Sequence, residues 1–380
     1  SVTDIMSSST AWLLIQALVS AYGEDGAKDV LTKIYENAGC EARSCKLLWQ
    51  DAPGLVSDVA LYDNGHSVRF TVGKATIQQG NAVVAVFDAG GNIMWSWHIW
   101  VTDTDVQATK KVVNADGIPC QMMAVNLGWC DGEHVTFARR ECRVRIKADE
   151  EVRTFAIVQD PFELDYGGNS PYFQWGRKDP LYPGDIGTLE TKYWYDGNGR
   201  ISNDNPLTSV SQDGKGCIVW GILNPQKLNR NQGMDNTYVN LWDTESNVPY
   251  MDGETPTKSI YDPCPVGFRL PRGMEFTGFS KTGNTAEEED MNVSGSYAKG
   301  WNFYTGPDGT GETIFFPATG SRYGSENPGK LNRIGLDILV YVAASFGISN
   351  GYYLWATNVG IWLNTYTSRQ GAFSIRPVHD

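Results

Sequence analysis

Residues 80–101 read GNAVVAVFDAGGNIMWSWHIWV, and this stretch decides the fold class of the chain. Residues 81–87 are almost entirely apolar and rich in β-branched valine, which is typical of a buried β-strand. Residues 88–92 are Asp-Ala-Gly-Gly-Asn, a composition that favours a turn because these residues tolerate turn conformations. Residues 93–101 follow as a second strand, rich in tryptophan. The stretch therefore predicts two β-strands joined by a turn.

Further short strand patterns surround this pair. Residues 46–49 and 56–62 are predicted strands, and residues 67–72 alternate between polar and apolar side chains. Several short strands at this spacing are typical of a β-sandwich, which we expect to occupy residues 1–105. The polar stretch from Thr102 to Lys111 is the predicted boundary with the rest of the chain.

The remaining segments make the fold mostly β with α+β content. Residues 8–38 place apolar side chains at helical spacing and are predicted to be partly helical. Residues 142–147 and 152–158 alternate on either side of a polar turn, which predicts a hairpin. Residues 160–310 are dominated by Gly, Asn, Asp and Pro with isolated aromatics. So long an irregular stretch is unusual unless the fold stores loops or the loops are functional.

Charge and hydropathy exclude several classes of function. The 380 residues include 31 Lys and Arg against 44 Asp and Glu, a formal net charge of −13. Binding to nucleic acid or to an anionic membrane needs clustered cations, so we expect no nucleic-acid partner. The apolar run at residues 11–15 is far shorter than the roughly 20 residues of a membrane span, so we expect no direct membrane insertion. No basic segment precedes it, and a signal peptide is expected to be absent or already removed.

Catalytic and metal-binding motifs are missing from the sequence. It contains no G-x-G-x-x-G after a strand, no P-loop, no H-E-x-x-H and no G-x-S-x-G. The four histidines are scattered, and His98 lies among tryptophans as a predicted strand residue. We therefore predict a protein that is not an enzyme, with no cofactor and no metal ligands. Acidic turns at residues 103–105, 196–199 and 308–312 are compatible with a structural calcium ion, although none has EF-hand spacing.

The seven cysteines leave two alternatives open. Cys40 with Cys45, and Cys130 with Cys142, are close enough in sequence to form disulfides. Buried free thiols are the alternative, because cysteine packs well as a small apolar residue. The Cys40–Cys45 spacing is not that of a C-x-x-C redox motif, and no two cysteine pairs have zinc-binding spacing.

Two stretches in the first half of the chain resemble a known family. Residues 80–86 followed by residues 95–100 resemble the pilin-type β-sandwich of type V pilus tip proteins from Bacteroidales. Residues 122–128 and 173–180 resemble the opening of the C-type-lectin-like domain that follows this sandwich. The resemblance implies a pilin-like β-sandwich in residues 1–105 and a C-type-lectin-like, ligand-binding domain in residues 106–380.

Two further stretches extend the resemblance to the end of the chain. Residues 261–271, YDPCPVGFRLP, are similar to the D-P-C-P-x-G-[WF]-[RK]-[VL]-P signature of the domain called Fibrobacter succinogenes major paralogous. The two prolines beside Cys264 restrict the backbone of this turn, so we expect a structural role for the signature. Residues 371–378, GAFSIRPV, resemble the closing strand of that domain. Buried indole rings are expected to hold its loops, and the candidates are Trp175, Trp194, Trp220, Trp242, Trp301 and Trp355.

The family resemblance also implies a variable binding surface. Domains of this kind are targets of diversity-generating retroelements, and the matching window here is residues 318–373. Its fixed positions read ATGSRY at residues 318–323, GYYLWAT at residues 351–357 and RQGAF at residues 369–373. The alternative is that residues 336–344 form only a buried helix or strand. The predicted ligand-facing residues are Tyr323, Ile334, Leu336, Ile338, Val340, Tyr341, Ile348, Leu354, Asn358, Val359, Ile361, Leu363, Thr365 and Tyr366.

The resemblance implies an exported adhesin on the cell surface, at the tip of a pilus. A neighbouring pilin subunit would supply a strand to the sandwich, and the ligand would be an unidentified protein or glycan. Two other functions use related folds: an oxidase of the formylglycine-generating type, and a structural subunit of the pilus stalk. The oxidase would need reactive cysteines or metal ligands near the C-terminal sheet, whereas Cys264 is the last cysteine and only His379 follows it. The stalk subunit would need an exposed C-terminal donor strand.

Overall fold

The computed structural model describes residues 41–75, 77–205, 214–229, 240–243, 255–322 and 329–380. In these ranges the chain is mostly β, as predicted, with one α-helix and three short 3-10 helices. The predicted helical segment at residues 8–38, Cys40 and Tyr323 lie outside the described residues.

The described strands are numbered in chain order. The first fourteen are β1 (Ser44–Gln50), β2 (Ser57–Tyr62), β3 (Ser67–Thr71), β4 (Gly80–Phe87), β5 (Ile93–Val101), β6 (Thr109–Val113), β7 (Pro119–Met123), β8 (Glu133–Phe137), β9 (Arg140–Ala148), β10 (Glu151–Gln159), β11 (Phe162–Tyr166), β12 (Asn169–Gln174), β13 (Pro180–Asp185) and β14 (Glu190–Thr191). The next fourteen are β15 (Trp194–Asp196), β16 (Ile201–Ser202), β17 (Phe268–Arg269), β18 (Ala286–Glu287), β19 (Val293–Ser294), β20 (Gly300–Tyr304), β21 (Thr313–Pro317), β22 (Ser321–Arg322), β23 (Leu331–Asn332), β24 (Ile338–Phe346), β25 (Asn350–Ala356), β26 (Gly360–Ser368), β27 (Ala372–Phe373) and β28 (Val378–His379). The helices are α1 (Gly214–Leu223) and the 3-10 helices Asp63–Gly65, Gly273–Phe279 and Glu288–Asp290.

The first sheet has the order β16-β15-β1-β4-β5. β4 and β5 form the strand pair expected from residues 80–101, with Val84 opposite Trp97. The β2–β3 hairpin covers one face of the sheet, because Val59 and Phe70 pack against the core that includes Val84. The opposite face contacts later parts of the chain. β15 and β16 join this sheet from beyond residue 105, so the sheet crosses the predicted domain boundary.

A buried asparagine ties this sheet to the rest of the chain. The amide nitrogen of Asn81 donates to Asp51 Oδ2 at 3.0 Å and to the Gly128 carbonyl at 2.9 Å. These two acceptors identify the nitrogen, so Asn81 Oδ1 accepts a hydrogen bond from Nε2 of His98 at 2.8 Å. His98 is therefore the neutral tautomer with its proton on Nε2. Burial lowers the pKa of His98 from 6.5 to about 3, which keeps the ring neutral.

Replacing His98 with glutamine should reduce the sensitivity of the fold to acid. The folded state keeps His98 neutral down to about pH 3, whereas the unfolded chain protonates it below pH 6.5. The unfolded state therefore binds more protons in this window, and the free energy of unfolding falls by about 1.4 kcal/mol per pH unit as the pH drops. Between pH 6.5 and 4.5 we expect the wild type to lose about 2–3 kcal/mol that His98→Gln does not lose. Urea denaturation at each pH measures the free energy of unfolding. The control is His379→Gln, because His379 is exposed. Equal pH dependence of the wild type and His98→Gln would contradict the prediction.

Four further sheets of three or more strands lie in the described part of the chain. Their strand orders are β14-β13-β12-β27-β22-β23, β17-β28-β7-β6, β18-β26-β25-β24 and β19-β20-β21. Residues 371–378 are not one continuous closing strand, since β27 and β28 belong to different sheets. Between them Tyr341 N–H donates to the Ser374 carbonyl and Leu127 N–H to the Ile375 carbonyl, so this segment links the sheets. The predicted tryptophan anchors Trp175, Trp242 and Trp301 are buried in this region, and Trp194, Trp220 and Trp355 are partly buried.

A two-stranded arm projects between β7 and β12. β8 pairs with β11, and β9 pairs with β10 as the predicted hairpin, both in antiparallel register. Every side chain of β10 is exposed, and in β9 only Val144 is partly covered. No residue of β9 or β10 belongs to a core cluster of the described residues.

Removing the end of this arm should leave the fold intact. A variant in which Arg139 is joined to Asp160 through an Asn-Gly turn lacks β9 and β10 but no core side chain. We expect its Tm to lie within about 3 °C of the full chain, because exposed residues contribute little to stability. Thermal unfolding followed by tryptophan fluorescence measures this. A loss of cooperative unfolding in the shortened chain would show that the arm is part of the core.

Candidate functional site

Thirteen of the fourteen predicted ligand-facing residues lie in the described part of the chain, and the structure divides these thirteen into two groups. Seven are buried, and six of these seven have their side chains in the two largest cores. They cannot face a ligand, which corrects the prediction for these residues and agrees with the alternative of a buried strand. The buried residues are Ile334, Ile338, Val340, Tyr341, Leu354, Ile361 and Leu363.

The predicted residues that reach solvent do not form one surface. Leu336, Asn358 and Val359 lie at the end of the β24–β26 sheet where β24 begins. Ile348 and Tyr366 lie at the other end, where Tyr366 stacks on Phe346 at 3.9 Å between ring centroids. Thr365, half-buried on β26, lies between the two ends.

Most of the predicted residues in the strands of this sheet point to its buried face. The residues that alternate with them along each strand face the other side. Ile338 and Leu354 point into the core that also contains Phe316 and Met291. Their neighbours along the strands, Tyr353 and Trp355, point to the other face, because successive side chains of a strand alternate between faces. Trp362 of β26 lies opposite Trp355, and the two indoles stack with centroids 4.2 Å apart.

A depression of about 240 Å³ is found on this open face. Its floor contains Leu339 and Phe373, and its walls are aromatic and polar. Arg322 is fully buried and donates to the Tyr182 carbonyl at 2.7 Å, so it is held by the protein itself. The depression is lined by Ser321, Arg322, Asn332, Asp337, Leu339, Tyr353, Trp355, Thr367, Ser368, Gln370, Gly371 and Phe373.

Two polar atoms of the lining residues lack a hydrogen-bond partner among the described residues. They are the indole nitrogen of Trp355 and Oδ1 of Asp337, both shielded from bulk water. The other carboxylate oxygen of Asp337 accepts from Arg333 Nε at 2.5 Å. Buried donors and acceptors without partners are rare in folded proteins and are expensive to leave unpaired. The residues that line the depression therefore include one donor and one acceptor that are unpaired among the described residues.

The face is supported from below by a packed layer of large side chains. The fully buried Arg369 donates to the Asn350 carbonyl at 3.0 Å, and its guanidinium lies 4.0 Å from the centroid of the Trp175 ring. Tyr341 stacks on Phe373 at 4.4 Å. A Cβ on Gly351 would lie only 2.2 Å from Trp175 Cδ1, so only glycine fits there. The backbone of the window is thus fixed while its open face stays accessible.

None of the predicted ligand-facing residues that the structure describes lines the depression. Tyr353, Trp355 and Gln370 belong to the fixed positions of the window, and Thr367 is in neither predicted group. The missing signal was strand parity: once β25 is placed as a strand, the buried Leu354 requires that both of its neighbours face the opposite side.

The structure describes six of the seven cysteines and the three acidic turns that were considered for calcium. Cys130 and Cys142 are free thiols, so the predicted disulfide between them is wrong: Cys142 lies on the exposed arm while Cys130 is buried. Cys45 is also a free thiol, and its predicted partner Cys40 lies outside the described residues. In the acidic turns, the carboxylates bind their own backbone, as Asp196 does with Asn198 N–H at 2.8 Å. The described ranges contain no group of three or more His, Cys, Asp and Glu side chains arranged to hold a metal ion.

Comparisons with known proteins give no identity. No family model, no curated protein and no solved structure matches the chain. None of the helices in the described residues has the length and apolar character needed to cross a bilayer.

Proposed function

We propose that this chain is a non-enzymatic binding protein, an adhesin exported to the cell surface as a pilus tip subunit. Its ligand binds on the open face of the β24–β26 sheet, at the depression beside Tyr353 and Trp355. The observation that carries the proposal is the combination found there. One face of the sheet is buried in a core. On the other face β24 is covered by a second core, and β25 and β26 beside it present aromatic and polar side chains around the depression, where one donor and one acceptor of the lining are unpaired among the described residues.

The lining favours a ligand with both apolar and hydrogen-bonding groups. Tyr and Trp side chains provide large contact areas at low conformational cost, as they do in antibody paratopes. Thr367, Ser368 and Gln370 add uncharged donors and acceptors around them. Burial raises the pKa of the Tyr353 hydroxyl, which therefore stays protonated and can donate a hydrogen bond. An exposed protein loop or a glycan fits this chemistry.

The buried cysteine of the signature sequence favours binding over oxidation. An oxidase of the formylglycine-generating type would need a reactive thiolate. Cys264 is buried, and burial together with Asp262 raises the pKa of its thiol well above the ordinary value. A thiol in this state is a poor nucleophile and a poor metal ligand.

A neighbouring pilin subunit is the second partner in this proposal. Among the described strands β5 pairs only with β4, so no second strand lies along its other edge, where Lys178 donates to the Ser96 carbonyl. An unpaired edge is a template for strand addition from another chain. The tip position, rather than the stalk, rests on the presence of a ligand surface.

The proposal is tested by removing the side chains of the open face. A triple variant Tyr353→Ala, Thr367→Ala and Gln370→Ala should lose most binding to target cells or to an array of proteins and glycans. The matched control, Leu336→Ser with Val359→Ser, changes exposed residues at the end of the same sheet and should bind like the wild type. Unchanged binding by a folded triple variant would contradict the assigned site.

A further inference from the structure

A second and larger cavity lies between the first sheet and the rest of the chain. Its volume is about 370 Å³, within the range of small-molecule sites. β5 provides one wall, and Lys178, Asp179 and two prolines of the signature sequence provide the other. The cavity does not share a lining residue with the depression on β24–β26. It is lined by Ser96, His98, Trp100, Thr102, Thr104, Val106, Leu127, Lys178, Asp179, Pro263 and Pro265.

His98, which lines this cavity, has one ring nitrogen that is a fixed hydrogen-bond acceptor. Its Nε2 donates to Asn81, so the lone pair of the neutral ring is on Nδ1. Among the described residues Nδ1 has no partner. Because the ring is held by Asn81 and packs beside Phe173 at 6.0 Å between centroids, this acceptor is held in place before any ligand arrives.

Two threonines at the same wall add hydroxyl groups. The Thr102 hydroxyl oxygen accepts the Thr104 backbone N–H at 3.1 Å, which leaves its own proton to donate. In the described part of the chain the Thr104 hydroxyl has no protein partner. The cavity therefore presents one ring-nitrogen acceptor and two hydroxyls, a set that matches a molecule carrying several hydroxyl groups.

The charged groups of the cavity neutralise each other. Lys178 Nζ lies 2.8 Å from both carboxylate oxygens of Asp179 and also donates to the Ser96 carbonyl and hydroxyl. The Ser96 hydroxyl in turn donates to Asp179. With every ammonium proton engaged and His98 neutral, the cavity has no net charge to offer an ionic ligand.

The remaining walls are apolar and flat. Trp100 donates its indole N–H to the Trp129 carbonyl at 3.0 Å, so the ring presents only carbon atoms to the cavity. Val106, Leu127 and the two prolines add further apolar surface. A flat aromatic ring near hydroxyl and acceptor groups suits a molecule with one apolar face and an edge of hydroxyls. A pyranose ring has this shape.

We propose that this cavity binds a neutral monosaccharide unit, stacked against Trp100 and hydrogen-bonded to His98 Nδ1 and to the hydroxyls of Thr102 and Thr104. The site is independent of the ligand surface on β24–β26. Its position also gives the two signature prolines a place in the wall of a binding site.

The test uses the full chain and five defined sugars. Glucose, galactose and N-acetylglucosamine are the neutral probes, and glucuronate and glucosamine are the charged counterparts. We expect at least one neutral sugar to shift the Nδ1 resonance of His98 saturably, with a dissociation constant of about 1 mM, in long-range nitrogen–proton spectra. The charged sugars should bind about tenfold more weakly or not at all. Failure of all three neutral sugars to shift this resonance, or equal binding of the charged sugars, would overturn the proposal.

Two variants locate the site. Val106→Trp fills the cavity and should abolish the shift, whereas Val152→Trp makes the same change on the exposed arm and should bind like the wild type. Thr102→Val keeps the side-chain shape and should weaken binding about tenfold, because one hydrogen bond is lost. Wild-type affinity in both cavity variants would place the sugar elsewhere and contradict the proposal.

Discussion

Replacing Arg376 with methionine should reduce the free energy of unfolding by about 3–5 kcal/mol, a large part of the stability of a typical domain. Arg376 is fully buried between β27 and β28. Its guanidinium donates to Asn126 Oδ1 at 2.8 Å, to the Ala124 carbonyl at 2.7 Å and to the Phe315 carbonyl at 2.8 Å. Methionine fills a similar volume but leaves these buried acceptors without a donor, and each costs about 1–3 kcal/mol.

Burial lowers the pKa of Arg376 to about 9, so the side chain is still charged at neutral pH. Its charge is stabilised by these acceptors and by the Phe316 ring, whose centroid is 4.0 Å away. The control is Arg143→Met on the exposed arm, where the side chain has only a surface ion pair with Glu141, and where we expect a change of less than about 0.5 kcal/mol. Urea denaturation compares the two variants. If Arg376→Met and Arg143→Met had the same free energy of unfolding, Arg376 would not hold these sheets together.

Replacing Asp262 with alanine should cost a similar amount, about 3–5 kcal/mol, because it leaves a buried ammonium group without its counter-charge. One Asp262 oxygen accepts the Cys264 N–H at 2.7 Å, and the other accepts the Leu270 N–H at 3.1 Å. Lys258 Nζ lies 3.4 Å from the carboxylate. The same ammonium donates to the Phe268 carbonyl at 2.5 Å, so this ion pair holds both ends of the signature turn.

The control for this variant is Asp308→Ala. Asp308 is exposed and accepts from the backbone and side chain of Thr310 only, so we expect a loss below about 1 kcal/mol. Thermal unfolding and the susceptibility of the turn to proteolysis give the two readouts. If Asp262→Ala were as stable as Asp308→Ala, the buried ion pair between Lys258 and Asp262 would have no structural role in the turn.

Local strand patterns predict much of this fold. The alternation and valine content of residues 80–101 place β4 and β5 within one residue of their observed bounds. The hairpin of β9 and β10 follows in the same way from its alternating side chains. These elements are accessible from sequence because each contains a continuous apolar run or a regular alternation of side chains over six or more residues.

Short and distant pairings could not be predicted. β15 has only three residues, and it completes the first sheet by pairing Tyr195 with Gln50. A three-residue strand has no measurable period, and the pairing partner is set by the tertiary fold. The cysteine alternatives were undecidable for the same reason, since Cys130 and Cys142 are close in sequence yet lie in a buried bridge and on an exposed arm.

In the candidate site, neighbouring residues of one strand point to opposite faces of the sheet, so an error of one residue selects the wrong face. Apolar composition singled out Leu354 and Ile361, which are the side chains that β25 and β26 bury. The neighbouring aromatics Trp355 and Trp362 face the open side, although tryptophan is as often a core residue. Composition alone cannot separate the two faces of a sheet with apolar side chains on both. The register of three adjacent strands is needed as well.

The central claim is that a ligand binds on the open face of the β24–β26 sheet, and blocking that face tests it most directly. In a Cys142→Ser background, a cysteine placed by Thr367→Cys is coupled to a bulky maleimide, and a cysteine placed by Val359→Cys serves as the matched control on the same sheet. Cell binding is measured before and after labelling. The label at position 367 should abolish binding and the label at position 359 should leave it unchanged. Full binding with position 367 labelled would contradict the account.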